Sequence, residues 1–153
     1  MGKALMTLPY ENATSGSNAL AEAEKILRRF GCTNFGTMTD WERGVVICQF
    51  AWKDRRVHIE ASWRGYAELW LKTRPWNRRM RHSKLEHEQQ AKRRGEAAVP
   101  SILRDWIKGQ VTAVEIGLMP FDHAFMPHML TFDGLRLVDK IQPLLEGPTT
   151  QGR

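Results

Sequence analysis

Residues 45–63 read VVICQFAWKDRRVHIEASW, and this stretch decides the fold. Residues 45–52 are mostly apolar. Residues 57–63 alternate apolar with polar side chains, which is the period of two that β-strands show. The polar residues 53–56 between them have the length of a hairpin connection. One face of the second strand is apolar, and we expect it to be buried: Val57, Ile59, Ala61 and Trp63.

The segment before this hairpin predicts one helix and one more strand. Apolar residues recur there at helical spacing, with acidic residues early and basic residues late, as the helix macrodipole favours. They are Leu20, Ala23, Ile26, Leu27 and Phe30. Residues 34–39 then fit a short strand. The sequence therefore predicts an α+β fold in which an N-terminal helix, residues 18–30, packs on a small antiparallel β-meander.

A helical region is predicted after the meander. Residues 65–76 indicate a short helix that ends before Pro75. Residues 78–94 permit a helix but carry almost no apolar side chains. A helix that is polar all round is exposed, marginal, or packed on something outside this chain.

The strongest helical pattern is an apolar stripe that predicts a long helix over about residues 99–116. Pro100 is tolerable as a first-turn residue, although it leaves the continuity of this helix open. Gly109 inside the stripe suggests close approach by a neighbouring backbone. Beyond it, Asp122 fits the start of a short helix, and residues 135–145 form a final segment.

The chain of 153 residues has the length of one domain. We expect residues 1–16 to form an arm and residues 146–153 a frayed tail, on either side of the helix and strands (17–64) and the helical region (65–145). No apolar run reaches the ~18 residues of a membrane span. Cys32 and Cys48 lack metal-ligand spacing and look like reduced core residues. These features predict a soluble, cytoplasmic protein.

Charge is concentrated in one block. Residues 72–94 hold nine basic and two acidic residues, a net charge of +7, whereas the rest of the chain carries −1. Such an asymmetry often marks an anionic partner. The alternative is a solvated helix face with no partner, and the sequence favours neither.

No enzyme motif is present. The sequence has no phosphate-binding loop, no dinucleotide-binding glycine pattern, no zinc-protease motif and no CxxC pair. The spacing of His82 and His87, and of His123 and His128, does not direct both rings of a pair at one metal. We expect them to be ordinary surface or helix-end residues. An enzyme is therefore disfavoured, and no cofactor or metal is predicted.

Aromatic residues are interleaved with the basic ones, a combination that single-strand binders use for stacking on bases and holding phosphates. Trp63 and Trp70 fit the core better than the surface, while Trp76 fits either. Arg104 and Lys108, four residues apart on the face opposite the apolar stripe, extend the basic surface, unless Asp105 simply pairs with Lys108 on the helix face. The predicted nucleic-acid-binding residues are Arg74, Trp76, Arg78, Arg79, Arg81, Lys84, Arg93, Arg94, Arg104 and Lys108.

Several blocks resemble a small, uncharacterised family of proteins encoded in bacteriophages and prophages. They are PYENATSG (9–16), EKILRRFGC (24–32), GYAELWLKTRPW (65–76), AVPSILRDWIKGQVTAVEIG (98–117) and FDHAFMPHML (121–130). The resemblance spans almost the whole chain but carries over no activity and no catalytic residue. It implies action in the cytoplasm of a bacterial host.

Two functions of different class follow from these observations. The first is a non-enzymatic accessory protein that binds DNA or RNA without sequence preference, because no sequence-reading motif is present. The second is a protein-binding module that sequesters a host protein, such as a component of antiviral defence. Exposed aromatic rings in a basic groove favour the first, and a flat apolar patch favours the second.

Overall fold

A computed structural model describes residues 7–148 and confirms the α+β fold. Along the chain, an N-terminal helix is followed by a three-stranded antiparallel sheet of order β1-β2-β3 and then by a helical C-terminal part. The elements are α1 (Gly16–Phe30), β1 (Asn34–Asp40), β2 (Val45–Trp52), β3 (Arg55–Ser62), α2 (Trp63–Thr73), α3 (Lys84–Glu115), α4 (Phe121–Phe125), a 3-10 turn (Met126–His128) and α5 (Leu137–Glu146).

The hairpin has the predicted alternation with slightly different ends. Val57 and Ile59 are buried on one face of β3, as expected. Trp63 is also buried, but it is the first residue of α2 and not the last of the strand. The reason is Ser62, whose hydroxyl accepts a hydrogen bond from the Gly65 amide at 3.0 Å and so caps a new helix. The chain therefore turns directly from β3 into α2.

The core lies between the apolar face of the sheet and the helices α1, α3 and α4. Alternate residues of β2 and β3 pack there against helical side chains such as Leu27 and Ile107, both of which are fully buried. Phe50 meets Phe125 of α4 edge to face, with ring centroids 5.5 Å apart. Helix α1 therefore packs on the meander as predicted, and α3 packs on the same face of the sheet.

Helix α3 begins fifteen residues earlier than the predicted residue 99 and runs unbroken for 32 residues. Small buried residues of its first half, Ala91 and Gly95, face α2 and let the two helices approach closely. Pro100 does not interrupt the helix, although it lacks the amide that would bond the Glu96 carbonyl. Among residues 7–148, no helix has the length and apolar character that crossing a bilayer requires.

The close backbone approach predicted at Gly109 is found at Gly95 instead. A Cβ atom on Gly109 would meet nothing within 4 Å. A Cβ atom on Gly95 would lie 2.4 Å from the carbonyl oxygen of Trp63, closer than real Cβ atoms come to backbone. Gly95 is therefore the position where α3 crosses the start of α2.

The two cysteines are free thiols, as the sequence predicts. Burial raises the pKa of Cys48 to about 12 and the pKa of Cys32 to about 11. Because the thiolate is the reactive form, neither residue is poised for redox or nucleophilic chemistry at neutral pH.

The opposite face of the sheet carries a chain of polar side chains centred on Glu60. The Gln49 amide donates to His58 Nδ1 at 2.6 Å, and His58 Nε2 donates to Glu60 at 3.2 Å. Arg43 forms a bidentate pair with the same carboxylate at 2.6 and 3.1 Å. Together with Arg136, these groups lower the pKa of Glu60 to about 2, with the Arg43 hydrogen bond as the largest cause.

This arrangement predicts a stability loss in acid. Because the pKa of Glu60 falls from 4.5 to about 2 on folding, the ionised carboxylate stabilises the fold above pH 4.5 and ceases to do so as pH falls towards 2. We expect Glu60→Gln to lower the free energy of unfolding at pH 7 by about 2 kcal/mol, after allowance for solvent screening. Urea unfolding at several pH values measures this difference. It should shrink towards pH 2 and be absent in the exposed control Glu68→Gln.

Candidate anion-binding surface

The predicted site lies at one end of a helical hairpin. Helix α2 ends at Thr73, α3 begins at Lys84, and the two helices pack antiparallel through Ala67, Trp70 and Ala91. Residues 74–83 join them and are called here the connecting loop. Because both helices stop at this loop, its side chains project from the end of the hairpin.

Buried His87 holds the connecting loop in place. The carbonyl of Arg74 can only accept, so the His87 Nε2–H donates to it, at 2.5 Å. His87 Nδ1 then accepts from His82 Nε2 at 2.8 Å, and the two rings stack with centroids 5.0 Å apart. Of the two expected placements, surface or helix end, His87 takes the helix end near the start of α3, and it is buried there, with 3% exposed. It was missed because its partners come from the loop and not from its own helix.

Trp76 belongs to the same support. Its ring is half-buried and lies in neither hydrophobic cluster. The indole N–H donates to the His82 carbonyl at 2.9 Å, which closes the loop across six residues. Trp76 is thus a structural part of the connecting loop. It lies between the core and the surface, the two placements that the sequence left open.

Glu11 anchors the segment before α1 to this hairpin. The residue is 8% exposed, and its carboxylate accepts hydrogen bonds from Trp70 Nε1 and Arg74 Nη2, both at 2.9 Å. Arg94 donates to the Glu11 backbone carbonyl at 3.1 Å. The part of the predicted arm that the structure describes is therefore packed down here, with Leu8 buried beside it. Arg74 is neutralised by this contact.

Seven cations of the basic block have no carboxylate within ion-pair distance among residues 7–148. All are exposed, and five of them form what we call the cationic end, at the connecting loop and the two helix ends that flank it. The five are Lys72, Arg78, Arg79, Arg81 and Lys84, and the other two, Arg93 and Arg94, lie farther along α3.

Two of these cations, Arg81 and Lys84, lie where they are electrostatically unfavourable for α3, whereas Lys72 lies in the last turn of α2, where a cation is favourable. The amino terminus of an α-helix carries a partial positive charge, so cations there destabilise it and anions stabilise it. Lys84 is the first residue of the 32-residue α3, and Arg81 lies just before the capping residue Ser83. The cationic end therefore combines fixed side-chain charge with the positive pole of the longest helix.

Arg104 and Lys108 lie far from this end. A rise of about 1.5 Å per residue puts them roughly 30 and 36 Å along α3 from Lys84. Arg104 is also paired, with Asp105 at 2.9 Å and with Glu22 at 3.2 Å. Asp105 pairs with Arg104 and accepts from Tyr10, so the alternative pairing with Lys108 is not formed. The ten predicted residues therefore do not make one surface.

Comparisons with known proteins supply no function for this surface. No protein-family profile matches the chain, and no curated protein or solved structure matches it significantly. Within residues 7–148 there is no group of three or more histidine, cysteine or acidic side chains placed to hold a metal ion.

Proposed function

We propose that this protein binds nucleic acid without sequence preference through the cationic end, and that it does so without catalysing a reaction. The observation that carries the proposal is the set of five unpaired cations at the connecting loop, the end of α2 and the start of α3. Core packing does not explain them, because all five side chains are exposed. Helix stability explains only Lys72, which lies in the last turn of α2, whereas Arg81 and Lys84 lie at the amino terminus of α3 and oppose its macrodipole.

A polymeric phosphate fits this surface better than a single small anion. Five cations spread over a helix end, a loop and a helix start match a row of phosphates, and each phosphate neutralised releases condensed counterions. The loop that carries Arg78, Arg79 and Arg81 is held by the His87 contacts, so little ordering remains to be done on binding. Phosphate contacts position a protein but read no sequence.

The proposal predicts that removing two positive charges affects binding only when the charges lie at the cationic end. Arg78→Ala with Arg79→Ala should flatten the log–log salt dependence of binding by about 1.4 units on single strands and about 1.8 on duplex DNA. The matched control, Arg28→Ala with Arg29→Ala, removes the same charge from exposed residues in the last turn of α1. Fluorescence anisotropy over a series of salt concentrations measures both pairs.

The two pairs separate a local contact from a general effect of net charge. The loop pair should change the slope and the helix pair should not. Equal changes in both would mean that no particular surface binds the polymer, and the proposal would be wrong.

The second candidate is a protein-binding module for a bacterial host factor. It is supported by apolar side chains around α5, where Phe132 is 97% exposed and Leu144 and Leu145 are almost as accessible. A pull-down from host extract with and without nuclease distinguishes the two. Loss of all bound material on nuclease treatment favours nucleic acid, while a retained single protein favours the module. The phage or prophage origin stays a prediction in either case.

A further inference from the structure

The turn between β1 and β2 presents an exposed indole that the sequence analysis did not single out. Trp41 is 69% exposed although it is a large aromatic residue. The turn around it is fixed, because the Gly44 amide donates to the Asp40 carbonyl at 2.8 Å and the Arg43 amide donates to the Asp40 carboxylate at 3.0 Å. Trp41 is therefore held in position without being buried.

Arg64 of α2 locks the same turn from the other side. Its guanidinium donates to the Glu42 carbonyl at 2.7 Å, and its amide donates to the Gly44 carbonyl at 3.2 Å. Gly44 has a φ of +69°, which a residue with a side chain rarely adopts, and a Cβ there would meet Arg64 at 2.7 Å. The turn is thus built to hold one conformation.

Trp41 forms one wall of a cavity of about 360 Å³ beside α3. Trp63 lines the same cavity together with Val46, Leu20 and Pro100. Such a volume, with mostly apolar and aromatic walls, is in the range of small-ligand sites, which start at about 300 Å³.

Two cations lie close to the Trp63 ring, which lines this cavity. Lys92 Nζ lies 5.5 Å from the centre of the Trp63 ring, and the Arg64 guanidinium lies 6.0 Å from it. Glu96, which also lines the cavity, is paired with Lys92 at 3.8 Å, so the local charge is not negative. Aromatic rings next to amino and guanidinium groups are the combination that holds a base and its phosphate.

We infer that the Trp41 cavity accepts a nucleobase of a single strand whose phosphates lie on the cationic end. This inference rests on the proposed function and adds the class of nucleic acid to it. The twelve residues from Lys84 to Glu96 rise about 18 Å along α3, a distance that a strand of the usual ~4–16-nucleotide site size spans.

The experiment compares two probes of equal charge, an oligothymidylate of about 12 nucleotides and an abasic strand of the same length. Trp41→Ala should weaken oligothymidylate binding about 5- to 150-fold, and Trp41→Phe should restore most of it. Trp41→Ala should leave binding of the abasic strand unchanged, because that strand offers phosphates and no bases. The matched control is Phe132→Ala, which removes another exposed ring at the opposite end of β3, where Arg56 donates to the Thr131 carbonyl.

The outcomes separate this inference from the proposal on which it rests. If the Arg78 and Arg79 substitutions weaken binding of both probes while Trp41→Ala changes neither, the cavity inference is wrong and the cationic end stands. If neither probe binds wild-type protein even at low salt, both fail. Circular dichroism and thermal unfolding of Trp41→Ala should match wild type, since an exposed side chain contributes little to the fold.

Discussion

Gly95→Ala is expected to lower the free energy of unfolding by about 3 kcal/mol, at the upper end of what overpacking costs. The added Cβ would lie 2.4 Å from the Trp63 carbonyl oxygen, and the neighbour is backbone, which cannot rotate away as a side chain does. Either α2 must move away from α3, or the junction between β3 and α2 must distort. Urea denaturation measures the loss of free energy, and we expect the m-value to be the same as in the wild-type protein.

Gly109→Ala is the matched control within the same helix. A Cβ at Gly109 would meet nothing within 4 Å, so the substitution brings only the better helix propensity of alanine, worth about 1 kcal/mol of stabilisation. The two variants make the same chemical change and should move stability in opposite directions. Equal stability of both variants would contradict the close crossing of α2 and α3 at Gly95.

The second large effect is expected at Glu11, where Glu11→Gln should cost about 3 kcal/mol. Removing one partner of a largely buried ion pair leaves the other charge without compensation. Arg74 would keep its charge beside Trp70, with a distance of 2.5 Å to the present carboxylate and only 22% of its side chain exposed. Thermal unfolding measures the loss, for which we expect a fall in melting temperature of about 6–12 °C.

An exposed carboxylate serves as the control for Glu11. Glu24 lies on the solvent side of α1 and has no ion pair with any residue in the range 7–148, so Glu24→Gln should change stability by less than about 0.5 kcal/mol. A Glu11→Gln protein as stable as Glu24→Gln would show that the segment before α1 is not anchored to the hairpin.

The sheet and α1 were predictable because their signals are local. Alternation over Val57 to Ile59 and helical spacing in α1 each bury one face, and both are visible within a few residues of sequence. The ends of these strands and helices were harder to predict from the sequence. A strand that passes into a helix at Ser62 and Trp63 shows no change in apolar content, so only the capping geometry marks the boundary.

The first half of α3 was not predictable as a packed helix. It buries Ala91 and Gly95, whose small side chains do not register as an apolar stripe, and it buries His87, which reads as polar. Close approach to α2 replaces large side chains as the source of contact. Periodicity measures hydrophobic bulk, so helices that pack through small residues escape it.

The basic block was visible in the sequence, but the ion pairs that some arginines form with carboxylates were not. Arg74 and Arg104 find carboxylates 63 and 82 residues away in sequence, which only the tertiary fold brings together. Trp41 was overlooked because it stands alone between two strands, away from the basic block. A tryptophan in a hairpin turn is the signal that could have pointed to it, since core packing gives no reason for that residue there.

The most direct test of the central claim is the salt dependence of oligonucleotide binding by the wild-type protein. Five phosphate contacts predict a slope of log Kobs against log salt of about −3.5 for single strands and about −4.5 for duplex DNA. Anisotropy titrations at four or more salt concentrations, at constant pH, measure the slope. Values in this range support a phosphate-binding cationic end, and a slope near zero, or no binding at low ionic strength, would contradict it.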